Sequence, residues 1–424
     1  MKARSALLVS GCFLLSARAQ SPAWGQCGGV VQPPAPQALL AQKSTLTTSN
    51  VSLEQTPTVP PASIPPTSSP SSPASPSAPS SAPSTPSSTP PASAGKLRFA
   101  GINISGFDFG CNTDGSCTAS AAWPPLLQYY GHDGQGQMTH FVNDDGFNVF
   151  RLPVGWQFLV NDVLGADIDE ANLTEYDALV QACLSTGASC IVDIHNYARW
   201  NSGIIGQGGP TNDQFAAVWS QIAAKYASEP KIIFGVMNEP HDIPDITIWA
   251  ASVQAAVTAI RNAGATSQLV LLPGNNWTSA ETFVSNGSAD ALSTVTNPDG
   301  SITNLIFDVH KYLDFDNSGT NAECTTNNID DAWTPLAAYL RTNGRQAFNT
   351  ETGGGNTASC IQYLCEQVAF QAQNSDVILG YVGWAAGNFD PSYVLGETPT
   401  NTGSTWTDTS LVAACLSPAT NGVL

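Results

Sequence analysis

Two glutamates at the ends of apolar segments are the residues of this chain best suited to chemistry. Residues 232–242 read I-I-F-G-V-M-N-E-P-H-D, so an apolar run leads directly into Asn238 and Glu239. Such a run is typical of a strand buried on both faces of a parallel sheet, which Pro240 would end. Residues 346–351, Q-A-F-N-T-E, end in the same way at Glu351. Two carboxyl groups facing each other across a cleft would suit glycoside hydrolysis.

Eight short apolar segments could position these two groups, and helical patterns separate most of them. This alternation over about 330 residues predicts an α/β fold, a (β/α)8 TIM barrel, forming a single catalytic domain. A doubly wound open sheet is the alternative, but no G-x-G-x-x-G or P-loop follows the first predicted strand. The predicted strands are 97–104, 148–152, 189–195, 232–238, 269–273, 305–310, 346–351 and 378–385. The clearest predicted helices are 172–186, 213–227, 246–263, 332–342 and 361–373.

Polar or aromatic residues stand at the end of nearly every predicted strand. In a barrel of this type the functional groups lie at the carboxyl ends of the strands. Any one of them alone has a plain structural explanation, as a capping Asn, a core His or a packed Trp. Their recurrence is harder to attribute to packing. The residues are Arg151, His195 with Asn196, Asn238 with Glu239, residues 275–277 ending in Trp277, His310 with Tyr312, Glu351 and Trp384.

Composition and the leader predict a secreted protein with a neutral or cationic partner. The chain has 424 residues and a formal net charge of −19, which would repel nucleic acid and anionic membranes. Residues 1–19 have the basic start, apolar run and A-R-A end of a signal peptide, and the run is too short to span a membrane. We therefore expect no nucleic-acid and no membrane partner.

The cysteines predict disulfide bonds and no metal centre. Eight of the ten remain once Cys12 in the leader and the isolated Cys27 are set aside. An even set in an oxidising compartment favours disulfides, and no C-x-x-C or H-x-x-x-H spacing suggests zinc. The short intervals make Cys111–Cys117 and Cys183–Cys190 reasonable local bridges. Spacing leaves the pairing of Cys324, Cys360, Cys365 and Cys415 open.

The segment before the barrel contains a short motif and a biased linker. Residues 21–29, S-P-A-W-G-Q-C-G-G, resemble the opening of a fungal family 1 cellulose-binding module. The later cysteines and aromatics of such a module are missing, so residues 20–43 are interpreted as a truncated remnant without binding function. Residues 44–95 are almost entirely Ser, Thr, Pro and Ala, which predicts a disordered linker. The catalytic barrel would then span 96–424.

Residues 96–424 resemble glycoside hydrolase family 5, and specifically the fungal secreted endo-β-1,4-glucanases of the endoglucanase II type. The segments that carry this resemblance are G-I-N-I-S-G-F-D-F-G-C (101–111), R-L-P-V-G-W-Q (151–157), D-I-H-N-Y-A-R-W-N (193–201), M-N-E-P-H-D (237–242), D-V-H-K-Y-L-D (308–314), N-T-E-T-G-G-G-N (349–356) and G-W-A-A-G-N-F (383–389). The N-E-P tripeptide alone would indicate only a wider clan of barrels.

The resemblance implies specific roles for these residues. Glu239 would be the acid/base and Glu351 the nucleophile of a retaining double displacement that needs no cofactor. The rest of the implied active-site set is Arg151, His195, Asn238, His310, Tyr312 and Trp384. Implied disulfide bonds are Cys111–Cys117, Cys183–Cys190, Cys324–Cys360 and Cys365–Cys415. The substrate would be a β-1,4-glucan, and we expect a monomer. The missing binding module puts action on crystalline cellulose in doubt.

The sequence does not decide which tryptophans bind the sugar or which polysaccharide is the substrate. Trp384 would form the floor beneath the reacting sugar, while Trp156, Trp200 and Trp277 could be flanking platforms or core residues. An endo-β-mannanase or a xyloglucan-active hydrolase on the same barrel is the alternative activity. A non-catalytic glycan-binding protein is the alternative of another class, and transglycosylation would share the covalent intermediate.

Overall fold

The structure, a computed structural model, describes residues 95–127, 133–403 and 405–424. The predicted signal peptide at 1–19, the module remnant at 20–43 and the linker at 44–95, apart from Gly95, lie outside the described residues. Across the described ranges, every helix is too short or too polar to cross a lipid bilayer.

Eight parallel strands in the described part of the chain close into a barrel. Each strand pairs with the next one along the chain, and the last pairs with the first, so the open-sheet alternative is excluded. All eight predicted strands are confirmed, with ends that shift by up to three residues. They are β1 Phe99–Ser105, β2 Val149–Val154, β3 Ser189–Ile194, β4 Ile232–Gly235, β5 Val270–Pro273, β6 Leu305–His310, β7 Ala347–Thr352 and β8 Ile378–Gly387.

Helices follow the strands and cover the barrel. They are α1 Gly134–Asn143, α2 Glu170–Ser185, α3 Asn212–Tyr226, α4 Ile246–Asn262, α5 Ser288–Leu292, α6 Thr334–Asn343, α7 Ala358–Gln373 and α8 Pro418–Asn421. Side-chain caps fix several starts. Thr211 and Gln214 form a capping box on α3, and Asp169 and Asp245 accept backbone N–H groups at the starts of α2 and α4.

Short elements complete the described ranges. Two hairpins pair Arg199–Trp200 with Gly203–Ile204 and Thr400–Asn401 with Trp406–Thr407. Single turns of helix occur at Ala119–Ala121, Trp156–Leu159, Ile329–Trp333 and Val412–Leu416. Among the described residues there are four disulfide bonds, and they are the four pairs that the family resemblance implied.

Apolar side chains form two layers of core. One cluster fills the space between the strands and the helices. A second cluster is built from strand residues and fills the barrel interior. Phe99 on β1 and Phe348 on β7 show this directly, because their rings stack at 5.2 Å although β8 separates the two strands. This inner layer supports the polar residues that follow it along the same strands.

Candidate active site

A β-bulge in β7 turns Glu351 towards the mouth of the barrel. Val309 of β6 pairs with Asn349, but the next residue, His310, pairs with Glu351, so β7 contains one extra residue at this point. The pairing of β7 with β8 shows the same extra residue. A bulge re-aims a side chain within a ladder. Thr350 and Glu351 can therefore both direct their side chains to the polar centre, although they are neighbours in sequence.

Glu239 lies in the loop after β4 rather than on the strand itself. β4 ends at Gly235, so the prediction that Pro240 ends the strand is wrong. The regular strand pairing ends before the chain reaches the proline. The Asn238 backbone N–H nevertheless still donates to the Ile194 carbonyl at 2.8 Å. Glu239 has φ of +38°, a left-handed conformation that side-chain-bearing residues adopt at a cost of about 1–3 kcal/mol. Strained backbone of this kind is concentrated at functional sites.

The two glutamates meet at His310. One carboxylate oxygen of each glutamate and one imidazole nitrogen lie within 4.8 Å of one another. His310 Nδ1 is 2.8 Å from Glu239 Oε1 and 3.6 Å from Glu351 Oε2. Both carboxyls are almost entirely shielded from bulk water. Burial, and after it the negative charge of Glu351, raise the pKa of Glu239 well above its usual range.

Arg151 compensates the negative charge of Glu351. Its guanidinium donates to Glu351 Oε1 at 2.5 Å, and the Tyr312 hydroxyl donates to Glu351 Oε2 at 2.8 Å. The same guanidinium contacts Asn238 Oδ1 at 2.6 Å and Asp193 Oδ2 at 3.0 Å. Burial lowers the pKa of Arg151, but the surrounding carboxylates outweigh that effect and raise it above its ordinary value. Arg151 is therefore a permanent cation inside the barrel.

A chain of hydrogen bonds connects the acid Glu239 to a second buried carboxyl. His310 Nε2 is 3.0 Å from Thr350 Oγ1, and the Thr350 hydroxyl contacts Asp308 Oδ1. Burial, followed by the positive charge of Arg151, lowers the pKa of His310 well below 6.5, so this imidazole is neutral. When Thr350 donates to Asp308, it accepts from His310 Nε2–H. His310 Nδ1 is then an acceptor, and its partner Glu239 must supply the proton.

The cleft beside Glu239 is a cavity of about 260 Å³. Trp277 is half-buried there and stacks on His241 at 3.9 Å, which leaves it able to present an aromatic face. Lys311 and Glu281 form an ion pair on the same wall at 2.5 Å. The lining residues include Glu239, Asn276, Trp277, Glu281, Lys311, Tyr312 and Asp316. An aromatic face with several polar groups is a surface suited to a sugar.

Some predicted substrate contacts are covered in the structure. Trp384 is fully buried and stacks on His195 at 5.4 Å, so its role as a sugar platform stays a prediction. Trp156 and Trp200 are also buried and pack edge to face within the outer core. Of the two explanations left open for them, the structure therefore shows packing rather than a platform.

Asn196 was predicted to contact substrate, but in the structure its side chain bonds to other protein groups. Its Oδ1 accepts from the Trp156 backbone N–H at 2.7 Å, and its Nδ2 donates to Gln157 Oε1 at 2.7 Å. The side chain is fully buried, and it ties the loop after β3 to the loop after β2. These contacts place Asn196 behind the cleft, as a residue that positions the neighbouring loops.

Four polar residues of the site were missed by the sequence analysis. They are Asn103, Asp193, Asp308 and Thr350. Asn103 accepts from Arg151 at 3.0 Å, and Asp193 contacts both Arg151 and His195 Nδ1 at 3.0 Å. A signal existed for the two aspartates. Each lies two residues before a histidine at a strand end, and residues two apart share one face of a strand.

Metal ligation is a second possibility for the glutamate–histidine group, because Glu239, His310 and Glu351 each offer one atom to a common point. The Arg151 guanidinium already lies against Glu351, so a divalent cation at that point would be repelled by a neighbouring positive charge. The arrangement instead fits a proton shared between a buried acid and a neutral imidazole.

Comparison with known proteins places the chain within one family. Residues 102–390 match the family described as cellulase, glycosyl hydrolase family 5. The chain is 62% identical over 414 residues to "Endoglucanase EG-II" of Hypocrea jecorina, covering 97% of both chains. It also matches the solved structure of Cel5A (EG2) from that organism at 66% identity and a TM-score of 0.75, covering 76% of this chain and 99% of that one. A structure described as a lucidum protein matches at 77% identity and a TM-score of 0.76, covering 76% of this chain and all of the other.

Proposed function

The chain belongs to glycosyl hydrolase family 5, and from that premise we propose that Glu239 and Glu351 cleave internal β-1,4-glucosidic bonds as the acid/base and the nucleophile of an endo-β-1,4-glucanase. The observation that carries the retaining mechanism is the approach of one oxygen of each carboxyl to within 4.8 Å of the other. Retaining glycosidases need about 5–5.5 Å between these groups, whereas inverting enzymes need about 6.5–9.5 Å for an intervening water.

The different surroundings of the two carboxyls support this assignment of roles. Glu351 is held by the cation of Arg151 and by Tyr312, as a nucleophile that must begin as a carboxylate requires. Glu239 has a raised pKa, and its Oε2 has no hydrogen-bond partner among the described residues. In the other tautomer of His310, in which Nδ1–H donates to Glu239 Oε1, the unpaired Oε2 can carry the proton for the leaving sugar. A general acid needs a raised pKa to keep its proton near neutral pH, and Glu239 meets that requirement.

In the first half-reaction, a Glu351 oxygen forms an ester bond with the anomeric carbon. The bond from that carbon to the glycosidic oxygen breaks, and Glu239 transfers its proton to that oxygen. Esterification removes the charge of Glu351, which lowers the pKa of Glu239 and leaves it as a carboxylate. In the second half-reaction, Glu239 takes a proton from water, the resulting oxygen attacks the anomeric carbon, and Glu351 leaves as a carboxylate.

Asn238 is proposed to bind the sugar 2-hydroxyl. Its Oδ1 is occupied by Arg151 at 2.6 Å, so the amide cannot rotate without losing that bond. Its Nδ2 is buried and has no partner among the described residues. A donor fixed in this way, next to Glu239 in sequence, is available to a substrate hydroxyl. Contacts to the 2-hydroxyl strengthen in the transition state of glycoside hydrolysis.

Secretion, the subunit state and the form of the substrate are also proposed for this chain. We propose that residues 1–19 direct secretion, which agrees with the disulfide bonds of the described part. Residues 96–424 would act as a monomeric catalytic domain on soluble β-1,4-glucan, since residues 20–43 carry too little of a binding module to hold crystalline cellulose. Reducing-sugar release from carboxymethylcellulose and barley β-glucan, compared with mannan, tests the substrate class. Faster release from mannan would support the mannanase alternative.

Two substitutions and two substrates test the roles of the glutamates. Glu239→Gln should lower turnover of unsubstituted glucan by about 10²–10⁴-fold. It should lower the first step much less for an aryl cellobioside whose leaving group needs no proton. Glu351→Gln should abolish turnover of both substrates while binding is retained. Glu170→Gln, on the exposed start of α2, is the control and should behave as wild type. Equal losses for both active-site variants on both substrates would contradict the assignment.

A further inference from the structure

A second cluster of ionisable residues lies away from the cleft, where the end of α1 meets the C-terminal hairpin. His140 Nε2 is 2.8 Å from Asp408 Oδ1 and 3.6 Å from Asp145 Oδ2. One atom from each of these three side chains lies within 4.8 Å of the others. Residues 144 and 145 precede the start of β2, so this cluster is at the opposite end of the barrel from Glu239 and Glu351.

The orientation of His140 is fixed by groups outside the cluster. Its Nδ1 lies 2.6 Å from Asp144 Oδ2, and the ring stacks on Trp406 with the planes 10° apart. A carboxylate can only accept, so Nδ1 must donate its N–H to Asp144. In the neutral imidazole, Nε2 then bears a lone pair that points towards Asp145 and Asp408. A metal-bound histidine usually donates its other ring N–H to a carboxylate or another acceptor in this way.

Asp145 supplies the independent sign of a missing ligand. The residue is only 6% exposed, and its Oδ2 has no hydrogen-bond partner among the described residues. Buried carboxylate oxygens are normally paired, because leaving one unpaired is costly. This oxygen faces His140 Nε2 beyond hydrogen-bond distance. With a neutral His140, the space between them is bounded by three atoms that all offer electron pairs, although Nε2 and Asp408 Oδ1 are also at hydrogen-bond distance, 2.8 Å.

We propose that His140 Nε2, Asp145 Oδ2 and Asp408 Oδ1 bind a divalent metal ion of the Mn²⁺ or Zn²⁺ class. One imidazole with two carboxylates is a donor set that suits these ions better than Ca²⁺ or Mg²⁺, which prefer oxygen alone. Metal–ligand bonds of about 2.0–2.2 Å place neighbouring ligand atoms about 3–3.5 Å apart. The observed separations of 2.8 and 3.6 Å lie close to that range.

A bound ion would connect two distant parts of the chain. Asp145 follows α1, whereas Asp408 follows Trp406–Thr407 in the segment after β8. The ion would hold that segment against α1 and stabilise the fold without contacting substrate. The competing occupant is a proton on His140, which would bond to Asp408 but leave Asp145 Oδ2 at 3.6 Å, without a hydrogen bond.

To test the site, the full chain is treated with a chelator and then titrated with MnCl₂. Electron paramagnetic resonance and calorimetry monitor the binding. ZnCl₂ and CaCl₂ are titrated in parallel. We expect one tight Mn²⁺ site with a nitrogen coupling from one imidazole, and a rise in Tm when it fills. Asp408→Asn should abolish both effects. Asp144→Asn changes a carboxyl that is 65% exposed and should weaken binding by about 10–100-fold.

Two control variants locate the ion. Asp299→Asn, on an exposed turn, and Glu239→Gln, in the cleft, should both bind Mn²⁺ as wild type does. The proposal is overturned if the wild type gives no saturable Mn²⁺ or Zn²⁺ binding, or if Asp408→Asn binds equally well. Loss of binding in Glu239→Gln would assign the ion to the cleft and overturn it as well. Stability that falls as the pH rises, without any metal effect, would show that a proton holds the cluster.

Discussion

The two halves of the barrel interior are built on the same strands but have opposite character. The lower half, towards the amino ends of the strands, contains Val149, Ile191, Ile306 and Phe348, and all its members are apolar. The upper half begins two residues later on the same inward faces. Its residues are Arg151 after Val149, Asp193 after Ile191, Asp308 after Ile306 and Thr350 after Phe348.

This difference shows where the barrel gains stability and where it gains function. Side chains alternate along a strand with a period of two, so each step from the lower to the upper half stays inside the barrel. The lower half buries hydrocarbon and stabilises the fold. The upper half buries one arginine among several carboxyls, which costs desolvation energy and keeps two glutamates in different states. Substitutions in each half should separate these contributions.

The largest effect is expected from removing the cation of the upper half. Arg151→Met leaves Glu351 and Asp193 buried without a positive partner, which should destabilise the fold by about 3–5 kcal/mol. Activity should fall by about 10³-fold or more, because the charge that holds the nucleophile is gone. Arg341→Met, at an exposed pair with Asp376, should cost at most about 1 kcal/mol. Urea unfolding and kcat/KM measure both, and similar losses in the two variants would contradict the comparison.

The lower half should respond in stability alone. Phe348→Ala removes a ring that stacks on Phe99, and we expect a loss of about 3–5 kcal/mol in the free energy of unfolding. The folded fraction should retain kcat/KM within about tenfold, since the ring touches no substrate. Phe315→Ala, at a position 70% exposed, is the control for stability. A fall in kcat/KM of the folded fraction by much more than tenfold would refute the division into halves.

Asp308 should make stability depend on pH. Burial raises its pKa to about 7 against an ordinary value of 3.8, so the folded state binds its proton more tightly than the unfolded state. This contribution to stability is present below about pH 4 and is lost as the pH rises to about 7. Asp308→Asn removes the titrating group and with it that loss. The free energy of unfolding of the variant should therefore rise relative to wild type as the pH increases from about 4 to about 7. Urea unfolding at several pH values measures the difference, and parallel curves would contradict it.

The smallest effect is expected at Thr350. Thr350→Val deletes the hydroxyl between His310 and Asp308 but keeps the shape of the side chain. Loss of one buried hydrogen bond is worth about 1–1.5 kcal/mol, which predicts a fall in kcat/KM of about tenfold. The alkaline limb of the pH profile, which reports Glu239, should also move. Thr350→Ser should restore both, and a profile unchanged in Thr350→Val would show that the hydroxyl has no part in the relay.

Much of the fold was predictable because strand and helix periods are local. The eight apolar segments became eight barrel strands, and the ends of two of them pointed to both glutamates, for which the resemblance then implied the roles. The bulge in β7 was not predictable from residue types, because no glycine or proline marks Thr350 or its neighbours. Regular alternation would have placed Glu351 and Thr350 on opposite faces.

The covered aromatics show the same limit of sequence reasoning. A tryptophan at a strand end can face sugar or core, and only neighbouring elements decide between them. Trp156 is buried against Trp200 and Phe215, which comes from α3, far along the chain. Asn196 is likewise committed to a loop about 40 residues earlier in sequence. Contacts between distant segments determined these roles, and no local pattern reports them.

Covalent labelling tests the central claim most directly. A 2-fluoro cellobioside with an activated leaving group slows the second half-reaction, so the glycosyl ester accumulates and can be located by peptide mass spectrometry. We predict one added disaccharide per chain, on the peptide that contains Glu351, and none in Glu351→Gln. A label on Glu239, or full turnover with inverted products and no label, would contradict the proposed roles of the two glutamates.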